Sequence, residues 1–197
     1  MNDLDQANRE RIFVAAKTLF SRYGFRKTTV DEIAEQANIS KRTMYKVFRS
    51  KEQILAELVV FEALKFRRFC MSQLKAQPDP LRKVETLCNL TNNYFNEFPF
   101  LGRVMADDER LFKPFLGEQV HLVEGGIREI VTNLLSEGLQ AGAFREMNVP
   151  DVAENILALM RTFAYHQELK PGNTEWVSFI LHAIQKEGVV HLSAPAT

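Results

Sequence analysis

Apolar residues recur along this chain three and four positions apart, with polar residues between them, which is the spacing of one face of a helix. We therefore predict an all-α fold of about nine helices. The expected helical ranges are about 5–23, 29–37, 50–75, 81–96, 115–140, 150–169 and 174–188, with one short helix that begins after Ser40. Short helices or bent segments are expected between residues 98 and 115, where Phe, Gly and Pro are frequent.

Two short helices near the N-terminus carry clear start and stop signals. Thr29 followed by Glu32 is the pattern of a capping box, and it precedes an apolar stripe that begins at Val30. Asn38 follows this stripe and tolerates the left-handed conformation that ends a helix. Ser40 then stands where an N-cap is expected for the next helix. The pattern is typical of a helix-turn-helix.

The second of these helices is predicted to have one apolar face and one basic face. Met44, Val47 and Phe48 fall together and are expected to pack on the first helix. The opposite face carries groups that bind phosphates and base edges in the major groove of DNA: Lys41, Arg42, Thr43, Tyr45 and Lys46. Lys51, after the N-cap Ser50, is expected to hold a phosphate together with the helix N-terminus. A generic three-helix packing unit with solvated cations is the alternative.

The segment from Arg11 to Ile54 resembles the N-terminal domain of the tetracycline-repressor (TetR-like) family of transcriptional regulators. Two positions depart from the family pattern: Asn38 stands where Gly is usual, and Val47 where an aromatic residue or His is usual. The predicted DNA-binding residues are Thr28, Thr29, Ser40, Lys41, Arg42, Thr43, Tyr45, Lys46 and Lys51. The residues that carry the resemblance are Ile12, Ala15, Ala16, Leu19, Phe20, Tyr23, Gly24, Phe25, Thr28, Thr29, Val30, Ile33, Ala34, Ala37, Ile39, Ser40, Thr43, Tyr45, Phe48, Ser50, Lys51 and Glu52.

The charge distribution favours the same interpretation. The formal net charge of the 197 residues is zero, which taken alone argues against a nucleic-acid-binding protein. However, residues 1–51 contain eleven of the 25 Lys and Arg but only six of the 25 Asp and Glu, so +5 there is balanced by −5 in the remainder. We therefore expect a helix-turn-helix DNA-binding domain at 1–51 and a helical effector-binding and dimerisation domain at 52–197.

The resemblance implies a small-molecule pocket in the second domain. A cluster of Phe and Met side chains interspersed with charge is typical of an apolar pocket between helices, although core and connection would explain it as well. The candidate lining residues are Phe95, Phe98, Leu101, Met105, Phe112, Phe115 and Phe163. The long helix predicted from Ser50 would connect this pocket to the DNA-binding domain, as the family resemblance implies.

The last two predicted helices are apolar over more than one stripe. The resemblance favours a homodimer formed by these helices, and additional core within one chain is the alternative. The predicted interface residues are Ile156, Leu159, Met160, Phe163, Trp176, Val177, Ile180 and Ile184.

These observations predict a DNA-binding transcriptional regulator, in particular a repressor that binds a palindromic operator as a homodimer and is released by a small apolar or amphipathic effector. The alternatives are an all-helical enzyme or carrier, and a DNA-binding dimer without an effector. No catalytic constellation or cofactor motif is evident. Because the N-terminus lacks an apolar signal-peptide core and no segment is typical of a membrane span, a cytoplasmic protein is expected.

Two further groups of residues were considered as metal or redox sites. Glu118 and His121 have the spacing of half a di-metal site, but no second such pair occurs, so a surface contact between them is favoured. Cys70 and Cys88 lack metal-ligand spacing and are interpreted as buried free thiols. No metal or cofactor is therefore predicted.

Overall fold

The computed structural model describes residues 3–98, 114–115, 120–165 and 174–186. Within these ranges the elements are all helical, which confirms the predicted fold class. We label the helices α1 (Asp3–Tyr23), α2 (Val30–Gln36), α3 (Lys41–Val47), α4 (Lys51–Lys75), α5 (Pro80–Glu97), α6 (Val120–Gln140), α7 (Val149–Met160) and α8 (Glu175–Ile184). A π-helical turn, Arg161–Tyr165, continues α7.

Helices α1, α2 and α3 share a small core with the first half of α4. Its largest members are at most 1% exposed, so the burial of each contributes on the order of 1.5–3 kcal/mol. They are Ile12, Phe20, Ile33, Met44, Phe48, Ile54, Leu55 and Leu58. Phe13 also belongs to this core, with its ring centroid 5.8 Å from that of Phe48 and 5.1 Å from that of Phe61.

The local signals at the helix ends are confirmed. Thr29 and Glu32 form the capping box of α2, and Ser40 accepts a hydrogen bond from the main-chain nitrogen of Thr43 at the start of α3. Asn38 has φ +54°, in the left-handed region, and Gly24 ends α1 with φ +82°. Each of these signals involves residues within one helical turn of one another, and a sequence pattern can therefore reveal them.

Helix α4 is one continuous helix that both regions of the protein share. Near its middle Phe61 packs on Phe13 of α1, and further along the ring of Phe66 lies 4.6 Å from that of Tyr94 on α5. Glu57 of α4 also forms a salt bridge with Arg9 of α1. The expected domain boundary between residues 51 and 52 therefore lies at the start of α4, a helix that packs on both α1 and α5.

Of the C-terminal helices, α7 packs against α6 and α5, and α8 packs against α5. Gly138 allows a close approach near the end of α6, because a Cβ atom there would lie 1.9 Å from the ring of Phe144. Gly142, with φ +68°, follows α6, and Phe144 is buried as an anchor after the turn.

The end of α8 differs from the prediction, which extended the helix to residue 188. The helix ends at Ile184 because Gln185 is extended and pairs with Phe144 in an isolated antiparallel bridge. The main-chain nitrogen of Arg145 donates to the oxygen of Ile184 at 3.1 Å. A tertiary contact has here replaced the next helical hydrogen bonds.

Among the helices that the structure describes, none combines the length and the apolar character that a membrane-spanning helix requires.

Candidate nucleic-acid interface

Helix α3 has one buried face and one exposed face. Met44 is fully buried and Phe48, just after the helix, is 1% exposed, so these side chains anchor α3 to the core. Arg42, Tyr45 and Lys46 are exposed, and the Tyr45 side chain is 55% accessible. Positions i, i+3 and i+4 of a helix lie on one side, so a guanidinium, a phenol and an ammonium are presented together. Such groups can donate to phosphates and base edges.

The turn between α2 and α3 is held by main-chain contacts. The main-chain nitrogen of Ile39 donates to the oxygen of Ala34 at 3.0 Å, and the guanidinium of Arg11 on α1 donates to the oxygen of Asn38 at 2.7 Å. Arg11 therefore fixes the carbonyl of the left-handed residue on which the angle between α2 and α3 depends. Its role was not apparent from the sequence, because a partner 27 positions away leaves no periodic signal.

Four of the predicted DNA-binding residues hold helix ends or loops. Thr28 is 2% exposed and its hydroxyl donates to the oxygen of Gly24 at 3.0 Å, so this side chain does not reach the surface. Thr29 is exposed but its hydroxyl donates to the carboxylate of Glu32 at 2.8 Å. Ser40 and Thr43 share a hydrogen bond of 2.9 Å between their hydroxyl oxygens. These contacts shape the surface around the exposed face of α3.

Glu32 and Lys41 both titrate under the influence of such local contacts. The pKa of Glu32 is lowered, first by the hydrogen bond that it accepts from the main chain of Thr29 and then by the Thr29 hydroxyl. The ammonium of Lys41 lies 2.5 Å from the carboxylate of Asp31, and this hydrogen bond raises the pKa of Lys41. Both members of the Lys41–Asp31 pair are exposed, so a carboxylate lies beside the exposed face of α3 that is predicted to contact DNA. Because Asp31 and Lys41 lie ten positions apart on different helices, helical spacing gave no indication of this pair.

The side chain of Lys51 turns toward the protein and contacts the loop between α1 and α2. Its ammonium donates to the main-chain oxygens of Phe25 at 2.7 Å and Thr28 at 2.8 Å, and lies 4.4 Å from the centre of the Phe25 ring. These contacts satisfy its donors inside the protein and tie the loop between α1 and α2 to the start of α4. Lys51 thus has a structural role within the protein, and its expected phosphate contact stays a prediction.

The predicted pocket residues are only partly within the described ranges. Phe95 is buried, Phe98 and Phe163 are half-buried, and Phe115 is exposed. The rings of Phe95 and Phe98 both pack on Tyr94, whereas Phe163 stacks on Trp176 with ring centroids 6.4 Å apart. Leu101, Met105 and Phe112 lie outside the described residues. Phe95 and Phe98 thus belong to an aromatic group at the end of α5, and Phe163 belongs to another between the π-helical turn and α8.

The predicted dimer residues are mostly buried within their own chain. Ile156, Met160, Trp176, Val177, Ile180 and Ile184 are each at most 4% exposed, and only Leu159 and Phe163 are half-buried. The surplus apolar surface of these helices therefore serves largely as intramolecular core. Phe179, which was not among the predicted residues, is 66% exposed and lies on a groove of about 480 Å³ between α7 and α8.

The groove is lined mainly by apolar side chains, with a few polar residues among them. Four of the predicted interface residues line it: Ile156, Leu159, Ile180 and Ile184. Val152 and Ala183 add to the apolar lining, and Arg145, Asn155 and Thr162 supply polar groups. An exposed Phe beside an apolar groove on the same surface is a geometry that a second copy can match reciprocally.

No group of three or more potential metal ligands occurs among the residues that the structure describes. The side chains of Glu118 and His121 lie outside this set. Cys70 and Cys88 are both buried, and burial raises the pKa of each thiol to about 12. Such thiols are protonated and shielded, as expected for core residues.

Comparison with known families agrees with the helix-turn-helix geometry of α2 and α3. Residues 12–58 match the family described as bacterial regulatory proteins, tetR family. The chain is 18% identical over 181 residues to a protein of Bacillus subtilis (strain 168) described as an uncharacterized HTH-type transcriptional regulator, YhgD, with 90% of this chain and 94% of that protein covered. It is 24% identical over 136 residues to the fatty acid metabolism regulator protein of the same organism, with 69% and 70% covered.

Solved structures show the same fold. The transcriptional regulator FadR from Bacillus subtilis, in complex with stearoyl-CoA, matches with a TM-score of 0.73 at 20% identity, covering 88% of this chain and 95% of that one. The fatty acid degradation regulator FadR from Bacillus halodurans matches with a TM-score of 0.72 at 21% identity, covering 89% and 92%. The regulators among these relatives offer no support for the enzyme alternative.

Proposed function

We propose that this chain is a TetR-like, DNA-binding transcriptional regulator that represses transcription by binding a palindromic operator as a homodimer. We further propose that a small amphipathic effector releases it from the operator. The protein would then act in the cytoplasm, where the operator DNA is accessible. The observation that carries the proposal is the exposed face of α3, on which Arg42, Tyr45 and Lys46 stand opposite the buried Met44.

In this proposal α3 enters the major groove and the neighbouring elements set its depth. Arg42 is the candidate for bidentate contact with a guanine edge, and Tyr45 and Lys46 for contacts with phosphates. Lys41 starts from its ion pair with Asp31, so its contribution to DNA binding depends on exchange of that carboxylate for a phosphate. Thr29, Ser40 and Thr43 act mainly by holding the ends of α2 and α3, which leaves Arg42 as the leading determinant of base specificity.

The homodimer is supported by the surface formed by α7 and α8. A twofold interface uses the same patch on both copies, so Phe179 of each protomer can occupy the groove of its partner. The apolar lining formed by Leu159 and Ile180 suits an aromatic ring, and the burial of an exposed Phe stabilises association. Two copies place two α3 helices at successive major grooves, about 34 Å apart on one side of the duplex. This is why the operator is proposed to be palindromic.

The effector is proposed to be a long-chain acyl thioester, because FadR from Bacillus subtilis has been solved with stearoyl-CoA and shares this fold over most of the chain. The aromatic side chains Phe95, Phe98 and Phe163 are the described candidates for contact with its acyl chain. A ligand of this kind is amphipathic, in keeping with the effector class predicted from the sequence. Because linkage is reciprocal, an effector that lowers operator affinity must itself bind more weakly to the operator complex.

Selection of bound sequences from a random DNA duplex library tests the proposal. We expect a palindromic site whose half-sites are one helical turn apart. Arg42→Ala should weaken binding by about 1–3 kcal/mol and relax preference at one base position. Lys65→Ala, which removes an exposed cation from α4, is the matched control and should leave affinity and preference unchanged. An Arg42→Ala, Tyr45→Ala double variant that binds like the wild type would contradict the proposed reading face.

Titration with stearoyl-CoA tests the effector. The operator complex should dissociate, and the affinity for stearoyl-CoA should be roughly 5- to 150-fold lower in the presence of operator, the usual range of such coupling. Dodecyl maltoside at matched concentration controls for detergent action. Equal stearoyl-CoA affinity with and without operator would remove acyl thioesters as the effector while leaving the operator proposal intact.

A further inference from the structure

A buried carboxylate lies where three helices meet. Glu62, in the middle of α4, is only 5% exposed. Its Oε2 atom accepts a hydrogen bond from the ammonium of Lys17 on α1 at 2.6 Å, and a second hydrogen bond from the hydroxyl of Tyr94 on α5. A carboxylate removed from water needs both an opposite charge and hydrogen-bond donors, so these two partners explain how Glu62 is tolerated there.

Lys17 is held from its other side by aromatic rings of α5. Its ammonium lies 3.4 Å from the centre of the Phe98 ring and 5.6 Å from that of Tyr94, both within the range of cation–π attraction. The side chain is only 16% exposed. The C-terminal end of α5 therefore contacts α1 directly, in addition to the route through α4.

The connectivity of these three residues gives the cluster its importance. Lys17 lies in the region that matches the tetR family, on the helix that also supports the α2–α3 turn through Arg11. Tyr94 belongs to α5, and its ring packs against Phe95 and Phe98, which are candidate pocket residues. One carboxylate oxygen thus joins the DNA-binding region to the aromatic group at the end of α5.

We propose that Lys17, Glu62 and Tyr94 form a latch that fixes the angle between α1 and the C-terminal helices, and that an effector acts on the DNA-binding region by moving the end of α5 against this latch. The inference rests on the proposed function and specifies its regulation. Tyr94 and Lys17 donate to the same oxygen atom of Glu62. A shift of α5 that withdraws the Tyr94 hydroxyl and the Phe98 ring therefore also removes the cation–π contact of Lys17.

The latch has the physical character of a two-state element. A buried ion pair is stable when it is complete and unfavourable when one partner is missing, so intermediate positions of α1 are disfavoured. The phenol of Tyr94 remains a proton donor throughout, because burial, followed by its hydrogen bond to Glu62, raises its pKa above the ordinary range. Loss of the Tyr94 proton therefore does not break this hydrogen bond, and an effector must move the Tyr94 side chain away from Glu62.

The angle can be measured without DNA or effector. Spin labels at Gln36→Cys on α2 and Asn133→Cys on α6, both exposed positions, report the distance between the two regions of one chain. Cys70 and Cys88 are buried and stay unlabelled. Labelled protein is diluted into unlabelled protein so that each distance is measured within a single chain. We expect one narrow distance distribution in the otherwise unmodified protein.

Two changes to the latch separate its positioning role from stability. Tyr94→Phe removes only the hydroxyl, and Lys17→Met with Glu62→Leu removes both charges so that neither is left buried alone, a replacement that usually preserves or increases stability. Both proteins should show a broadened or shifted distance distribution. Operator affinity should change roughly 2- to 30-fold, as is typical when residues couple two sites. Phe98→Leu, which removes the cation–π contact with Lys17, should likewise broaden or shift the distance distribution.

Arg67→Ala is the matched control, because it breaks an ion pair between α4 and α6 with Glu129 and leaves α1 untouched. It should retain the narrow distribution. Wild-type distances in Tyr94→Phe, in the Lys17→Met, Glu62→Leu protein and in Phe98→Leu would overturn the latch, whether or not an operator has been found. Failure of the DNA selection would instead refute the proposed function, and the distances would still decide whether the latch exists.

Discussion

The ammonium of Lys51 lies 2.7 Å from the main-chain oxygen of Phe25 and 4.4 Å from the centre of the Phe25 ring. A cation at the N-terminus of a helix opposes the helix dipole, so this position requires compensation. Carbonyl oxygens of the α1–α2 loop and the face of an aromatic ring provide it. A residue that the sequence suggested as a phosphate ligand therefore joins the loop to α4.

Lys51→Ala should lower the free energy of unfolding by about 1–3 kcal/mol, because charged hydrogen bonds to half-buried carbonyls are lost. Urea denaturation followed by circular dichroism measures the effect. Lys27→Ala, an exposed residue of the same loop, should change stability by less than about 0.5 kcal/mol. If Lys51 instead held a phosphate, its removal would leave stability unchanged and reduce the salt dependence of operator binding by about one ion.

Asp31→Asn should increase operator affinity by up to about fivefold, the upper range for one exposed ion pair. The carboxylate of Asp31 both repels phosphates and occupies the ammonium of Lys41, and its removal relieves both effects. Fluorescence anisotropy at two salt concentrations measures the change, which should shrink at the higher concentration. Glu129→Gln makes the same charge change on α6, away from α3. An equal gain in that protein would show a general charge effect and contradict the local one.

Phe179→Glu should give a folded monomer, because the side chain is 66% exposed in one chain and would be buried only by a partner. Ile180→Glu, at the neighbouring position, should unfold the C-terminal helices because Ile180 is 2% exposed and a charge there has no counter-ion. Sedimentation velocity at micromolar concentration and thermal melting distinguish the two results. A Phe179→Glu protein that remains dimeric would place the interface elsewhere.

Cys70 and Cys88 should react slowly with a thiol reagent at pH 8 in the folded protein and rapidly in urea. Burial raises the pKa of each thiol to about 12, whereas an unfolded thiol titrates near 9.0. The folded state therefore keeps these protons after the unfolded state has begun to lose them. Stability from this source is complete below about pH 9 and declines as the pH rises toward 12. Gln36→Cys provides an exposed thiol as the control, and equal rates at all three cysteines would contradict their burial.

The DNA-binding region shows which features a sequence encodes locally. The capping box of Thr29 and Glu32, the left-handed Asn38 and the N-cap Ser40 all appear in the structure as predicted. Each depends on residues within one helical turn, and their chemistry is therefore readable from spacing alone. The same holds for the exposed face of α3, because helical periodicity separates Met44 from Arg42.

The tertiary structure decided what the polar groups do and which apolar faces remain exposed. Periodicity identified α7 and α8 as apolar on several sides, but it did not distinguish Ile180, buried in its own chain, from the exposed Phe179. Likewise, nothing in the spacing of Lys17, Glu62 and Tyr94 indicated that they meet at one oxygen atom. Hydrogen bonds and ion pairs between distant segments depend on how whole helices pack, and burial depends on every neighbour at once. The sequence by itself therefore determined the helical fold and the capping signals around α2 and α3. The end of α8, the role of Lys51, the surface available to a partner and the Lys17–Glu62–Tyr94 junction were decided only when the helices packed together.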